Sequence, residues 1–355
     1  MPHKLIKIDA ALPSAPKAKV MIVYTGGTFG MAHDENGVLV PFDFNHILKH
    51  LPTIRTLMLD LTVISFDKPI DSSNIEPKHW QEIGAIILAH YRDQDGFVVL
   101  HGTDTMAFTT SALSFMLRGL AKPVVFTGAQ LPISEPRSDA RENLITALAI
   151  ASARQNGQPM VPEVCIYFDD ELLRGCRAKK VESMHFDAFE SENYPPLAKA
   201  GVKIDYDVAA IRKVPTQGNL SLLKKFDNRV ALLKIFPGID ANTVKSVANI
   251  PGLKGLILET YGSGNAPTSE WFTDVIRSSV DRGVVVLNIS QCPGGMVMQG
   301  KYETSRTLEE IGVISGADMT CEAAVTKLML LLGEFGVEDA RRMITESMAG
   351  EISTG

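Results

Sequence analysis

Two short segments hold the densest reactive chemistry in this chain: Thr25-Gly26-Gly27-Thr28 and His101-Gly102-Thr103-Asp104-Thr105. Thr28, Thr103 and Thr105 offer hydroxyls, and Asp104 offers a carboxylate. Paired glycines let the backbone turn sharply and approach a ligand closely. They also expose backbone N–H groups that can stabilise an oxyanion. Each segment alone has a plainer reading. The first could be an anion-binding loop or a simple turn, and Thr103 or Asp104 ahead of a helical run is good capping material. Neither fits the Walker pattern, which needs Gly-Lys-Ser/Thr, or a full GxGxxG, and this counts against nucleotide binding.

Both segments follow apolar runs. Val20–Tyr24, Gly96–His101, Pro123–Thr127 and Val164–Phe168 read as strands buried on both faces, as in a parallel sheet covered by helices. Helical patterns alternate with them over Thr105–Leu120 and Ser138–Arg154. The alternation predicts an α/β fold: an N-terminal doubly wound, mostly parallel sheet domain over 18–205. A polar stretch, 206–228, reads as a linker. A smaller C-terminal α/β domain follows over 229–355, with strands at Val230–Phe236, Gly255–Leu258 and Val284–Ile289. Its helices are expected at Trp271–Arg282, Glu322–Glu334 and 337–349. The two reactive turns therefore sit at carboxyl ends of strands, where open α/β sheets bind ligands.

Composition narrows the function classes. The chain has 355 residues, 45% hydrophobic and 21% charged, enough for two domains with their own cores. A formal net charge of -6 without basic blocks gives no footprint for nucleic acid. No apolar run reaches the roughly 20 residues that span a bilayer. The stretch Met1–Lys17, broken by Lys4, Lys7 and Asp9, lacks the apolar core of a secretion signal, so a cytoplasmic protein is expected. The four cysteines are scattered with no CxxC pair and read as reduced thiols. His46 and His50 have helical i, i+4 spacing but lack the glutamate of HExxH. No metal and no other cofactor is expected.

Taken together, the two segments resemble the signature motifs of the asparaginase family: YTGGTFGM (Tyr24–Met31) and HGTDTMAFT (His101–Thr109). The resemblance extends through PIDSSN (Pro69–Asn74), SALSFML (Ser111–Leu117), VVFTGAQLP (Val124–Pro132), FDAF (Phe186–Phe189), YGSGNAP (Tyr261–Pro267) and SGADMT (Ser315–Thr320). It covers most of the chain from about residue 19 onward and is nearest the bacterial type I, cytoplasmic branch. That resemblance implies an amidohydrolase converting L-asparagine to L-aspartate and ammonia through a threonine acyl-enzyme. It implies a homodimer or homotetramer with the active site in the N-terminal domain at a subunit contact.

The resemblance also implies roles. Thr28 attacks the side-chain amide carbon. Thr103, Asp104 and a lysine form a second catalytic group. That lysine lies nine residues before the phenylalanine closing FDAF, which is Lys180 here; by residue type alone it would read as a solvated surface lysine. Acting as a base, it must be uncharged, which burial or a nearby cation favours. Asp71, Ser72, Ser73, Thr103 and Asp104 are expected to grip the substrate. Asp71 or Asp104 would pair the α-ammonium, and the Ser72 hydroxyl would donate to the α-carboxylate. Read without the resemblance, DSSN is a turn before the helix after Pro77. Ala129 is expected to offer backbone contacts to the amide. His101, ending a buried strand, reads as structural rather than as a general base. Asn265 is a candidate for a subunit contact.

The chain departs from the family in two places. Many relatives carry a lid tyrosine ten residues past the nucleophile, where this chain has Val38. Gly37 and the polar run His33–Asn36 still suit a mobile lid. Some type I enzymes also have a second, regulatory asparagine site. Lys179 and Glu259 occupy the positions of its threonine and arginine, and Cys292 matches its cysteine. Two other functions share part of this pattern. A glutaminase or the amidotransferase subunit that acts on charged tRNA carries the same motifs, although that subunit usually has an extra N-terminal domain and about 18 residues precede the first expected strand here. A non-catalytic binding module would need neither Thr28 nor Lys180. Glutamate in place of arginine reverses the charge offered to a carboxylate. Equilibrium dialysis is therefore expected to find one asparagine site per subunit, and two sites would overturn this.

Overall fold

Val20–Val23 and Phe97–Leu100 are apolar at every position and fully buried. Strands of this kind form the middle of the first of two units, 1–222 and 223–355, into which the contacts divide the chain. The structure, a computed structural model, describes residues 3–8, 16–33, 39–41, 52–215, 219–300 and 303–353. Val38, His46 and His50 lie outside the described residues.

In the first unit, β1 is His3–Ile8, β2 Ala18–Gly26 and β3 Leu59–Ile70. Helix α1 (Pro77–His90) leads to β4 (Gly96–Leu100), α2 (Met106–Met116), β5 (Val124–Thr127), α3 (Ala140–Ser152) and β6 (Val164–Phe168). Four short strands follow: β7 (Glu171–Arg174), β8 (Lys179–Lys180), β9 (Phe189–Glu190) and β10 (Ala198–Ala200); β11 is Ile204–Tyr206. The nine-stranded sheet runs β1-β3-β2-β4-β5-β6-β7-β10-β11. Its central five strands, β3 to β6 in that order, are parallel, and antiparallel strands extend both edges.

The strand order decides where a ligand can bind. The chain passes from β2 to its neighbour β3 on one side, then crosses to β4 on the other. The sheet thus switches winding direction between β2 and β4, and a crevice opens at their carboxyl ends. Helices cover both faces. Leu144, Ala147, Leu148 and Ala151 of α3 join Val20, Ile22, Val98 and Leu100 in one core cluster, while α1 and α2 pack on each other. Gly96 is needed because a side chain there would strike the Ala151 carbonyl.

Two elements differ from the sequence expectation. β3 is twelve residues long yet reads weakly, because Asp60, Thr62, Ser65, Asp67 and Lys68 interrupt its apolar residues. Its burial alternates, as suits a strand near the sheet edge. The polar stretch 206–228 straddles the division between the units, and Ser221–Leu222 inside it pairs with Leu117–Arg118.

The second unit has a four-stranded parallel sheet in simple sequence order: β12 (Val230–Lys234), β13 (Gly255–Thr260), β14 (Val285–Ser290) and β15 (Ile314–Ser315). Helices α4 (Ala241–Ala248), α5 (Glu270–Asp281) and α6 (Glu303–Ile311) connect them. Val244, Phe272, Ile276, Leu308 and Ile311 from these helices share a core with Leu256, Leu258 and Val286. Helix α7 (Cys321–Glu334) packs on the opposite face, where Leu328 fills the space beside Gly255. Helix α8 is Gly336–Met343. Among the described residues, no helix is long and apolar enough to cross a membrane.

The tail after α8 is fastened by a fully buried ion pair. Lys327 of α7 donates to the Ile344 and Glu346 carbonyls at 2.7 Å and meets Glu351 at 2.6 Å, with neither side chain exposed. Glu351 also accepts from the Met348 and Ala349 amides. Burial works to raise the Glu351 pKa, but Lys327 and these amides outweigh it and hold the carboxyl below its ordinary value of 4.5. A carboxylate depressed in the folded state stabilises at pH above its unfolded value, and that stability is lost as pH falls through the folded one. Lys327→Met, which strands the buried carboxylate, is expected to cost about 3–5 kcal/mol in urea unfolding of the full chain. Its stability curve should also lose part of the acid dependence below pH 4.5 expected of the wild type.

Candidate functional site

Three loops meet at the switch point, and they meet through glycines. Gly26 ends β2 and Gly27 follows it, with φ of 134° and 87°, a backbone region open to glycine. A side chain at Gly26 would collide with the Ile70 backbone at the end of β3. At Gly27 it would lie 2.6 Å from the Gly102 Cα, beyond β4. At Gly102 it would lie 2.6 Å from the Ser72 hydroxyl oxygen. A fourth loop enters through Gly128, after β5, where a side chain would strike the His101 carbonyl. Real Cβ atoms essentially never approach so closely, so four glycines let four chain segments touch, three through backbone on backbone and Gly102 through the Ser72 side chain.

Hydrogen bonds from side chains hold this meeting point. The Thr25 hydroxyl donates to the Leu100 carbonyl at 2.9 Å, tying the end of β2 to the end of β4. The Thr105 hydroxyl donates to the Ser72 carbonyl at 2.7 Å, tying the 71–74 turn to the 101–105 loop. Asp71 caps that turn, accepting from the Ser73 amide at 2.9 Å and the Ser73 hydroxyl at 2.8 Å. The amide, then the hydroxyl, hold the Asp71 carboxyl below its ordinary range, so it stays charged. Asp139 accepts from the Gln130 and Leu131 amides, and Asn143 donates to the Gly128 carbonyl, fixing the loop around Ala129.

The sequence-expected residues fall as follows. Thr28 begins a short 3-10 turn, Thr28–Gly30, and is half-buried. The residue before it, Gly27, packs on the residue before Thr103. Lys180 lies in β8, whose partner in a two-residue antiparallel ladder is β9, with Lys180 opposite Phe189. From there its ammonium reaches the Thr103 hydroxyl at 2.8 Å and the Asp104 carboxylate at 2.7 Å. Lys180 is 17% exposed and Asp104 64%, so the pair lies at the mouth of the crevice, one partner inside and one outside. Ser72 is buried against Gly102, Asp71 and Ser73 are exposed, and Ala129 is buried. Lys179 precedes Lys180 in β8. In the other unit, Glu259 ends near Lys234 at 3.4 Å, and Cys292 is exposed. Among the described residues, no group of three His, Cys, Asp or Glu side chains could hold a metal ion.

His101 is completely buried and sits in a chain of donors with one direction. The Trp80 indole N–H donates to the Thr109 hydroxyl at 3.1 Å, which leaves that hydroxyl to donate to His101 Nε2 at 3.0 Å. The ring's Nδ1 faces the Gly102 carbonyl at 2.7 Å and must carry the proton. Burial is the main force that keeps this ring neutral, pushing its pKa down to about 4. His101 therefore anchors the Gly102 peptide behind Thr103, and it is not exposed to a substrate. Sequence reasoning did not single out Gln130, which accepts from Thr103 at 3.3 Å, or Asp139 and Asn143. Their signal was only their place inside or just after the VVFTGAQLP motif.

The arrangement offers two threonine hydroxyls on touching loops. One is joined to a lysine and a carboxylate, and exposed carboxylates stand nearby for a cationic group. Comparison with known proteins agrees with this pattern. Residues 19–212 match the family model described as "Asparaginase, N-terminal", and 229–343 match "Glutaminase/Asparaginase C-terminal domain". The chain is 41% identical to the L-asparaginase 1 of Escherichia coli K12 over 348 residues, covering 95% of this chain and 98% of that one. It is 40% identical to a human protein named 60 kDa lysophospholipase, covering 95% of this chain and 62% of that longer one. The crystal structure of L-asparaginase I from Vibrio cholerae aligns with a TM-score of 0.86 at 36% identity, covering 95% and 99% of the two chains.

The His101 chain gives a test that needs no substrate. A histidine depressed in the fold contributes stability that is complete above its ordinary value of 6.5 and is lost as pH falls through about 4. Ring nitrogen NMR should find a neutral ring protonated on Nδ1 at pH 6. A ring that titrates near 6.5 would contradict the buried, single-tautomer assignment.

Proposed function

The chain belongs to the asparaginase family of hydrolases, and from that premise we propose that it hydrolyses L-asparagine through a covalent threonine intermediate. L-asparaginase activity is supported by the family and by the relatives carrying that name. The covalent route through Thr28 is our own assignment. The observation that carries it is the placement of the Lys180 ammonium within hydrogen-bond reach of both Thr103 and Asp104, on loops that touch the one bearing Thr28.

In this reading the Thr28 oxygen attacks the side-chain amide carbon of asparagine. The carbonyl oxygen becomes an oxyanion, and backbone N–H groups of the glycine turns stabilise it. The C–N bond then breaks, the nitrogen takes a proton and leaves as ammonia, and an ester to Thr28 remains. Thr103, paired with Lys180, carries the proton traffic. Water then adds to the ester carbon and releases aspartate, restoring the Thr28 hydroxyl. Asp104 holds Lys180 in place from the solvent side. Asp71, kept charged by Ser73, is suited to the substrate's α-ammonium, and Asp104 offers a second carboxylate. Ser72 and Ser73 offer hydroxyls to the α-carboxylate, and the peptide around Ala129 offers backbone groups to the amide. No step calls for a cofactor. We place the protein in the cytoplasm as a homodimer or homotetramer, on the strength of its resemblance to the type I branch.

Asparagine and glutamine differ by one methylene, which is worth about 1–3 kcal/mol of discrimination in a pocket. Ammonia release is therefore to be measured from each. Wild type should release ammonia from asparagine, and Thr28→Ala should lose about 10³-fold or more of kcat. Lys180→Met should lower kcat far more than it raises KM. Full turnover by Thr28→Ala would sink the nucleophile assignment, and unchanged kcat in Lys180→Met would remove the proton carrier.

A further inference from the structure

Lys180 reaches Thr103 from a strand that has little to hold it. β8 is two residues long, and its partner β9 is as short. A ladder of that size does not fix its own position in water. The place of Lys180 is therefore inherited from the chain just before it. Arg174 ends β7, and the Arg177 amide donates to the Arg174 carbonyl at 2.9 Å, so the chain turns over residues 174–177. Residues 174–178 are all buried, and the chain emerges again at Lys179 and Lys180.

Gly175 is where this turn is fastened, and it is fastened at both ends of its own residue. Its amide donates to the Val164 carbonyl of β6 at 2.9 Å. Its carbonyl accepts from two hydroxyls of α2, Thr110 at 2.9 Å and, more weakly, Ser111 at 3.4 Å. The Thr110 hydroxyl also lies 3.2 Å from the Ala107 carbonyl in its own helix, so the bond to Gly175 is the shorter one. A side chain at Gly175 would lie 2.9 Å from both the Thr110 Cβ and the Val164 carbonyl, so the glycine lies flush between α2 and β6. Thr110 and Ser111 are completely buried, out of reach of a substrate.

The same helix carries the other half of the pair. Thr103 and Asp104 stand immediately before α2, and the Met106 amide at its start donates to the Thr103 carbonyl. A closed ring of contacts results: Thr103, the first turns of α2, Thr110, Gly175, then β8 and back from Lys180 to Thr103 at 2.8 Å. We propose that Thr110 is a positioning residue for the reaction: by holding the Gly175 carbonyl on α2, it sets the reach of Lys180 to Thr103. The inference rests on the reading of Thr103 and Lys180 as the pair that carries the proton traffic. The Thr110 proton stays on Thr110 throughout, so it takes no part in that traffic. Loss of this bond lets the 174–180 segment drift from α2, and fewer molecules hold Lys180 within reach at the moment of transfer. Asp71 and Ser72 lie on another loop and keep their grip, so the loss belongs to kcat and spares KM.

The test separates the hydroxyl from the volume. Thr110→Val keeps the volume and loses the hydroxyl; Thr110→Ser keeps the hydroxyl and loses a methyl group. Steady-state ammonia release from asparagine and Tm are measured on each full-length variant, on Lys180→Met, and on Thr110→Val combined with Lys180→Met. Thr110→Val should lower kcat about tenfold, the equivalent of one neutral hydrogen bond, with KM changed less than about twofold. Thr110→Ser should recover most of kcat even where its Tm falls. On top of Lys180→Met, Thr110→Val should lower kcat by less than about twofold, because two changes that act through one group do not add. Three results would overturn the proposal: an unchanged kcat in Thr110→Val; Thr110→Ser as slow as Thr110→Val, which makes the residue a matter of packing; or the full tenfold loss repeated on top of Lys180→Met, which means that Thr110 acts elsewhere. Lys180→Met alone separates the two levels. If it keeps full kcat, the reading of the reaction fails; if it is slow while Thr110→Val is unchanged, only the present inference fails.

Discussion

Everything at the crevice depends on the absence of four Cβ atoms. Gly26 against Ile70, Gly27 against Gly102, Gly102 against Ser72 and Gly128 against His101 are contacts of backbone with backbone or with a neighbouring side chain. Any larger residue would push the loops apart by more than the length of a hydrogen bond's tolerance. The loops bearing Thr28, Thr103 and Asp71 are therefore mutually placed by close approach at glycines as well as by polar contacts. Two of these glycines also occupy positive φ, where side chains are strained even with room to spare. Sterics of this kind are stiff, and a site that must hold reacting groups to within a fraction of an ångström needs that stiffness.

The polar contacts refine what the glycines permit. Thr25, Thr105 and His101 each spend a side-chain proton on a backbone carbonyl of the same crevice: Leu100, Ser72 and Gly102. A buried carbonyl satisfied in this way cannot rotate without losing its partner in a place water does not reach, which is costly. The Trp80–Thr109–His101 chain extends the restraint into the core beneath α2. Its direction is determined throughout, because the indole can only donate and the carbonyl can only accept. The same logic sets the orientation of Gln130 from His185. A fixed donor or a fixed acceptor at the end of a chain makes the proton positions in its middle readable from heavy atoms alone.

Much of this was legible in the sequence, and the reasons differ by residue. β2, β4, β5 and β6 announce themselves as continuous apolar runs because both faces are covered. The reactive turns are marked by glycines at the ends of β2 and β4, the pair Gly26-Gly27 and the single Gly102. β3 was missed because Asp60, Thr62 and Ser65 sit among its apolar residues, and a half-buried strand near an edge has no need of a continuous run. β1 was missed as well, being a short strand whose Lys4 and Lys7 look like those of an ordinary polar terminus. Lys180 could be reached only through the family resemblance, since nothing local distinguishes it from Lys179. The ladder that sets it opposite Phe189 is a pairing between residues nine apart, invisible to any helical or strand periodicity. Gln130 and Asp139 escaped for a related reason: a glutamine in a loop and an aspartate before a helix are common, and their partners lie far away in the chain.

The two units contain similar pieces, yet strand order gives them different capacities. The second unit winds β12 to β15 in one direction, so no change of winding opens a crevice within it. Its polar investment lies instead under one loop. Asn288, fully buried on β14, accepts from the Thr260 hydroxyl at 2.6 Å and donates to the Gly264 carbonyl at 3.1 Å. Gly264 has φ of 103°, and a side chain there would meet Val297 and Asn288. Tyr261 and Asn265 close the loop with reciprocal backbone bonds at 3.0 and 2.9 Å. Burying an amide costs free energy unless both its ends are satisfied, and here both ends are used to hold a single surface turn. The YGSGNAP segment is thus as firmly shaped as the loops of the first unit's crevice, without a crevice of its own. A loop built this way serves as a rigid edge, and its Asn265 is presented in a fixed attitude rather than left to find one.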